Sequence, residues 1–144
     1  MTQLLDARTS QNASYANSIA IPILIVDSPA LVGQVGLNVH NASGITRVIF
    51  NGTVAMQLPL LPVVTAVTLT VVRGFLPTDP LVYSATEILD LEILGSQVLT
   101  ITGSDYNVPF PISNQLVYTM FISASALGTV RVGPESFNAV AYSD

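Results

Sequence analysis

Few residues in this chain have side chains suited to acid–base or nucleophilic chemistry. The chain contains one histidine, His40, and neither cysteine nor lysine. Histidine is the usual general base near neutral pH, but a serine triad also needs an orienting carboxylate and an activated serine. No Gly-x-Ser-x-Gly motif is present, and His40 directly precedes the turn-forming stretch 41–44. We therefore predict a solvated loop histidine without a catalytic role.

Three acidic residues, Glu87, Asp90 and Glu92, lie close together along the chain. Carboxylate oxygens are preferred ligands of Ca²⁺, and a pair of carboxylates is also the machinery of glycoside hydrolysis. The segment contains no EF-hand loop, and the chain has no phosphate-binding glycine motif. A solvated acidic edge is our main interpretation, and these residues are the only candidate calcium site. We predict no enzyme activity and no cofactor.

The charge inventory excludes nucleic-acid binding. The chain has four arginines and no lysine against nine acidic residues, and its net charge is −5. Scattered arginines form no stripe that neutralises phosphates. Arg73 ends one apolar run and Arg131 lies inside another, so each is predicted either to face solvent or to pair with an acid across a subunit interface.

The hydrophobic content predicts association between copies of the chain. Half of the residues are hydrophobic and 9% are charged, whereas the surface of a soluble monomer needs more charge. One of the two longest uncharged stretches, 48–72, alternates in hydrophobicity and contains Asn-Gly and two prolines, which is not the pattern of a membrane helix. We predict no membrane partner, and we expect the outer faces of the sheets to meet other copies.

Short runs of β-type residues separated by turn residues follow one another from residue 19 onward. They predict strands over 19–26, 32–40, 44–58, 63–73, 81–89, 97–103, 115–124, 129–132 and 135–141. Asn51-Gly52 is a strong hairpin signal, but the apolar alternation continues through it. We predict one long strand there, in which Gly52 could form a bulge. Such a series of strands indicates one antiparallel domain.

Residues 1–18 differ in composition from the rest of the chain. They are polar, have no sustained periodicity and lack the basic start and apolar core of a secretory signal. We predict an N-terminal arm over residues 1–18 and a single domain over 19–144. Leu4 and Leu5 offer an apolar anchor, so the arm is predicted to connect to a neighbouring subunit, with a disordered tail as the alternative.

Three segments and the start of the chain resemble spore-surface proteins of Bacillus and its relatives. The segments are RVIFNGTVAMQL at 47–58, VTLTVVRG at 67–74 and PLVY at 80–83, and the opening MTQLLD is similar to that of exosporium protein C. The resemblance implies a jelly roll like the head domains of tumour necrosis factor and complement. It also implies synthesis in the mother-cell cytoplasm without a signal peptide. The chain lacks the cysteines that cross-link some spore-coat and appendage subunits.

The predicted fold is therefore an all-β, antiparallel jelly-roll sandwich with an extended N-terminal arm. The predicted function is a non-catalytic, self-assembling structural protein of the endospore surface, either an exosporium component or an appendage subunit. Its expected partners are other copies of the chain and other spore-surface proteins. The alternatives are a phage or virus structural protein, such as a decoration protein or tail-fibre head, and a carbohydrate-binding module. The pattern does not distinguish a trimer from an open filament.

Overall fold

Nine β-strands and their connections form the whole structure. The computed structural model describes residues 1–144. The strands are β1 (Gln3–Ala13), β2 (Ile21–Pro22), β3 (Ala30–Asn38), β4 (Thr46–Gln57), β5 (Ala66–Arg73), β6 (Leu81–Ile88), β7 (Ser96–Tyr106), β8 (Gln115–Ala124) and β9 (Val130–Ser143). No helix is long and apolar enough to cross a membrane.

The strand order is that of a jelly roll, which confirms the predicted fold class. One sheet has the order β1-β9-β4-β7, with the two-residue β2 also paired to β9, and the other has the order β3-β8-β5-β6. All pairs are antiparallel. When the short β2 is left out and the other eight strands are counted 1 to 8 along the chain, one sheet has the order 1-8-3-6 and the other has the order 2-7-4-5. This is the jelly-roll order, in which successive strands cross between two packed sheets except for β5 and β6, which pair within one sheet.

The inward faces of the two sheets enclose one core of 24 buried residues. Strand β4 shows the alternation that builds it, since Val48, Phe50, Val54 and Met56 are buried. Residues 47–57 pair with β7 without interruption, which confirms one continuous strand through Asn51-Gly52. The predicted bulge at Gly52 is wrong, because the register with β9 shifts between Val54 and Met56 instead.

The N-terminal segment is an edge strand of the sandwich. Strand β1 is hydrogen-bonded to β9 from Gln3↔Ser143 to Ala13↔Glu135. The predicted boundary between residues 18 and 19 therefore needs correction, because most of residues 1–13 belong to the same sandwich as the rest of the chain. The prediction missed this strand because an edge strand buries few side chains on either face, so its sequence needs no apolar alternation.

Side chains of β1 also close the gap between the two sheets. Strand β3 is the neighbouring edge of the second sheet, and its outward N–H groups lack a strand partner. The amide of Asn38 donates to Asp6 Oδ2 at 2.8 Å, and the amide of Gln34 donates to Ser10 Oγ at 3.3 Å. Burial alone would raise the pKa of Asp6, but hydrogen bonds from Asn38, Arg8 and Ala7 outweigh it and lower this pKa. The polar residues of β1 are thus specific caps of β3.

We expect the substitutions D6A and S10A to expose one β3 amide each. D6A should speed hydrogen exchange at Asn38 by about tenfold or more and leave Gln34 unchanged, because each cap holds a single N–H group. S10A should produce the reverse pattern. Amide exchange followed by NMR measures both, and each variant serves as the control of the other. Equal acceleration at both amides would show that β1 detaches as a whole, which would contradict separate capping.

Two predicted strand boundaries differ from the structure. The predicted strand 19–26 is reduced to Ile21–Pro22, because β9 has room for only two further residues beside β1 and Pro22 has no N–H to donate. The predicted break between the strands 129–132 and 135–141 lies inside β9. There, three residues of β9 (132–134) lie opposite one residue of β4, since Arg131 pairs with Met56 and Glu135 with Val54. Gly133 accommodates this irregularity with a φ of 84°.

Candidate assembly surface

The structure does not bring the candidate chemical residues together. His40 is exposed in the turn after β3, as predicted, and its backbone amide donates to the side chain of Asn38. Glu87, Asp90 and Glu92 are all exposed. Asp90 accepts a hydrogen bond from the Glu92 amide, which is a local turn contact. No group of three or more histidine or acidic side chains is placed to hold a metal ion, so the three acids do not form the candidate calcium site.

The predicted anchor of the N-terminal segment is divided between two environments. Leu5 is partly buried against the core of its own chain, whereas Leu4 is exposed. The prediction that both leucines dock on a neighbouring subunit is therefore wrong for Leu5. An apolar side chain that already packs in its own domain is not available as an external anchor.

Arg131 and Glu135 form a buried ion pair within the chain. The guanidinium donates from Nε and Nη2 to the two carboxylate oxygens at 2.6 Å, and both side chains are almost fully buried. Arg131 Nη2 also donates to the Leu31 carbonyl, and Asn12 Nδ2 donates to Glu135 Oε1. The pair therefore connects β9 with both β1 and β3, and the prediction of an exposed or intersubunit arginine is wrong here.

A second polar network joins Arg73, Asp105 and Tyr118. The Arg73 guanidinium donates to both oxygens of Asp105 at 2.8 and 2.9 Å, and the Tyr118 hydroxyl donates to Asp105 at 2.7 Å. Hydrogen bonding to Asp105 raises the pKa of Arg73. Burial, reinforced by the hydrogen bond to Asp105, raises the pKa of Tyr118 well above its usual range. The network links β5, β7 and β8, so Arg73 also pairs inside the chain.

Sequence reasoning missed the acidic partners in both networks. The predicted strand 97–103 stops short of Asp105, although Ile101, Gly103 and Asp105 have the spacing of one strand face, and β7 extends to Tyr106. Arg131 and Glu135 stand four residues apart inside an apolar strand, which was a usable signal. Because buried charges are normally paired, a lone charge in such a run should have suggested a partner on the same face.

The outer faces of the sheets are mostly neutral and polar. On the outer face around β4, Asn51 bonds to Asn138 of β9, and Thr53 and Thr102 lie on the same side. Ile49 is the exposed large hydrophobic residue at the centre of this sheet. This outer face is therefore not wholly apolar, and its coverage by another copy stays a prediction. Water instead contacts uncharged hydroxyl and amide groups on these faces.

The exposed apolar surface is concentrated at one end of the sandwich. Because every long strand crosses the molecule, the connections 14–29, 58–65, 89–95 and 125–129 all lie at the same end, which we call the four-loop end. Half of the exposed large hydrophobic residues of the chain lie in these loops. We define the four-loop surface by the exposed aliphatic residues Leu24, Ile25, Val26, Leu60, Leu61, Val63, Val64, Leu91, Ile93, Leu94 and Leu127.

Backbone hydrogen bonds hold the four loops beside one another. The Leu89 amide donates to the Thr65 carbonyl, the Ser125 amide to Ala66, and the Ile23 amide to Thr129. Three of the loops, together with the start of β9, line a groove of about 510 Å³ with aliphatic walls that include Leu60 and Leu94. The four loops are therefore held together at one end of the fold, and three of them share an apolar groove.

Area and charge both characterise this surface. Its eleven residues together expose about as much surface as seven fully exposed aliphatic residues, on the order of 1,000 Å². The only charged residues in the four loops are Asp27, Asp90 and Glu92. A surface with acids and no cations does not suit a phosphate-rich or anionic partner.

The opposite end carries less exposed apolar surface. It is formed by the loops 39–45, 74–80 and 107–114, which we call the three-loop end. Its loops expose Ile45, Phe75, Leu76, Phe110 and Ile112, and Met1 and Leu4 at the start of the chain are exposed at the same end. Phe75, Phe110 and Arg73 border a cleft of about 390 Å³ at this end.

No family model matches this sequence, and no curated protein matches it. Among solved structures, a chain of the T13 infectious bursal disease virus particle is similar over 99% of this chain and 35% of its own length, at 11% identity and a TM-score of 0.45. A chain from the Gt strain of the same virus gives 12% identity, a TM-score of 0.41 and 36% coverage of its length. The chain thus spans about a third of these virus chains. The jelly-roll assignment rests on the strand order, and the resemblance to spore-surface proteins stays a prediction.

Proposed function

We propose that this chain is a non-catalytic structural subunit that assembles with copies of itself. The single observation that carries the proposal is the four-loop surface, in which eleven exposed aliphatic residues are collected at one end of the fold. A stable interface buries about 800 Å² per partner, so this surface alone is large enough to form one.

Two cellular roles are compatible with such a subunit. The first is the endospore surface, as an exosporium component or appendage subunit made in the mother-cell cytoplasm, where other spore-surface proteins would be further partners. This role depends on the resemblance of residues 47–58, 67–74 and 80–83. The second is a viral or phage structural protein, because viral capsid domains use the eight-stranded jelly roll.

The first test compares the sedimentation of wild type with that of the triple variant L60S/L61S/L94S. These leucines are 95%, 91% and 87% exposed, so serine should leave the fold intact while removing apolar contact area. We expect wild type to form oligomers at micromolar concentration and the triple variant to stay monomeric, with a dissociation constant raised at least 100-fold.

The matched control is I49S, which removes an exposed aliphatic side chain from the outer sheet face. I49S should assemble like wild type, and circular dichroism should be the same for all three proteins. A wild-type chain that remains a monomer at high concentration would refute the proposed function. Electron microscopy of the assembled wild type then separates the two roles, since closed shells favour the viral role and fibres or flat layers favour the spore surface.

A further inference from the structure

The outer face of the sheet β1-β9-β4-β7 carries one row of side chains that differs from its neutral surroundings. The strand register places Arg47 of β4 beside Tyr142 of β9 on one side and beside Tyr106 of β7 on the other. Neighbouring strands lie about 4.8 Å apart, so each tyrosine flanks the arginine at one strand spacing. All three residues are at least partly exposed, and Tyr106 is 63% exposed. We call these three residues the tyrosine–arginine row.

Arg47 is the arginine of this chain that lacks an acidic partner. The other three arginines each form an ion pair with an aspartate or glutamate, whereas Arg47 forms none. Its guanidinium carbon lies 5.7 Å from the centre of the Tyr142 ring, a cation–π contact that orients the group. The buried Nε of Arg47 has no hydrogen-bond acceptor. Its terminal nitrogens also donate no hydrogen bond within the chain and are not buried, so they are available to an anion.

The surroundings of the row favour an acidic ligand, although the chain as a whole is acidic. Among the residues of β4, β7 and β9 that share this outer face, Arg47 is the only charged one. Asp105 is buried and bonded to Arg73. Asp144 follows β9 at the rim of the face, where its side chain accepts a hydrogen bond from Thr2 at 3.5 Å. An anion that lies across these three strands therefore meets one cation among neutral side chains.

The position of the row indicates a sugar ring as its ligand, in preference to a peptide. Peptides bind to sheets by adding a strand at an edge or by lying in a groove. The row is centred on β4, whose backbone is already paired with both neighbouring strands. A pyranose ring has an apolar face of C–H groups that packs on an aromatic ring such as that of Tyr106. The hydroxyls of Tyr106 and Tyr142 are neither buried nor bonded within the chain, so they are free to bind sugar hydroxyls.

We propose that the tyrosine–arginine row binds an acidic polysaccharide whose sugar rings carry uronic-acid carboxylates. One ring packs on Tyr106, and a carboxylate accepts charge-assisted hydrogen bonds from the terminal nitrogens of Arg47. This binding function is additional to self-assembly and does not depend on it, because the row shares no residue with the four-loop surface. An assembly would present many rows at once, so a weak single site would still hold a polymer firmly.

Isothermal titration of the full chain with oligogalacturonate tests the proposal. We expect saturable binding that weakens as NaCl is raised from about 50 to 500 mM, because salt screens the contact between guanidinium and carboxylate. R47Q should weaken binding by about tenfold or more, since it removes the positive charge. R47K should lose less than R47Q, because it keeps the charge without the forked geometry. Y106A should weaken binding by about fivefold or more, because it removes the stacking ring.

R8Q and Y15A are the matched control variants. R8Q makes the same change in net charge at another arginine, and Y15A removes an exposed tyrosine far from the row. Both variants should bind oligogalacturonate within about twofold of wild type, and circular dichroism should be the same for all variants. Equal losses in R47Q and R8Q would show a general attraction to positive charge and would overturn the proposed site.

Ligand controls decide the chemical class. Fully methyl-esterified oligogalacturonate keeps the rings and linkages but masks the carboxylates, so it should bind about tenfold or more weakly than the acid form. Polyglutamate carries carboxylates without sugar rings and should also bind about tenfold or more weakly. Equal binding of the ester or of polyglutamate, or no binding of oligogalacturonate at millimolar concentration, would overturn the proposal.

Sedimentation separates this proposal from the proposed function. R47Q and Y106A should sediment like wild type, because neither residue belongs to the four-loop surface. Loss of oligomers in either variant would show that the row contacts another copy of the chain, which would overturn the glycan site. A monomeric wild type that binds oligogalacturonate would refute self-assembly and support the row as a glycan site.

Discussion

The substitution E135Q is expected to lower the free energy of unfolding by about 3–5 kcal/mol, because it leaves Arg131 charged and buried without a counter-charge. Glu135 is fully buried and accepts two hydrogen bonds from Arg131 and one from Asn12. Glutamine keeps the shape of the side chain but removes the negative charge. Urea unfolding followed by circular dichroism, at one protein concentration for all variants, measures the loss.

Two controls separate the buried charge from other causes. The double variant R131M/E135L removes both charges at similar volume, so it should cost less than E135Q alone. The variant R8A breaks the more exposed Arg8–Asp6 pair and should cost less than about 1 kcal/mol. A loss below 1 kcal/mol for E135Q would contradict a buried, dry ion pair that joins β1, β3 and β9.

The substitution D105A is expected to cost about 2–4 kcal/mol, because it leaves both the Arg73 guanidinium and the buried Tyr118 hydroxyl without their acceptor. The expected loss is smaller than for E135Q, since Arg73 remains partly exposed and water can solvate it. Y118F is the matched control, because it removes one hydrogen bond and keeps the Arg73–Asp105 pair, with an expected cost of about 1 kcal/mol. Equal losses in D105A and Y118F would contradict the shared network.

The same network makes the free energy of unfolding depend on pH in the alkaline range. The pKa of Tyr118 is raised in the folded state above the ordinary tyrosine value of about 10. The folded chain therefore holds this proton more tightly than the unfolded chain, and its stabilising contribution is complete below pH 10 and is lost as pH rises further. In urea unfolding at increasing pH, wild type should lose more stability above pH 10 than Y118F does.

The two ion pairs show where the sequence pattern reached its limit. The apolar alternation through Asn51-Gly52 correctly predicted one continuous strand in β4, because alternation is a local property of a strand. The partner of Arg73 is Asp105, which is 32 positions away and enters from another sheet. Such a pairing depends on the order of strands in the sandwich, which alternation does not encode.

The N-terminal strand illustrates the same limit at a sheet edge. Residues 1–18 lack apolar periodicity, so composition predicted a separate arm. Strand β1 is instead held by main-chain pairing with β9 and by the caps that Asp6 and Ser10 provide to β3. Hydrogen-bond complementarity between distant segments leaves no periodic signal in either one.

By itself, the sequence determined an all-β domain, its inward-facing residues, the solvated position of His40 and a shortage of charge, because these follow from residue types and their local spacing. Only the tertiary structure decided where that shortage of charge matters. Neutral polar side chains keep the sheet faces in contact with water. Because each long strand runs from one end of the sandwich to the other, four loops with aliphatic residues lie at the same end. Loops distant along the chain share a surface only because the sheet topology returns the chain to the same end each time.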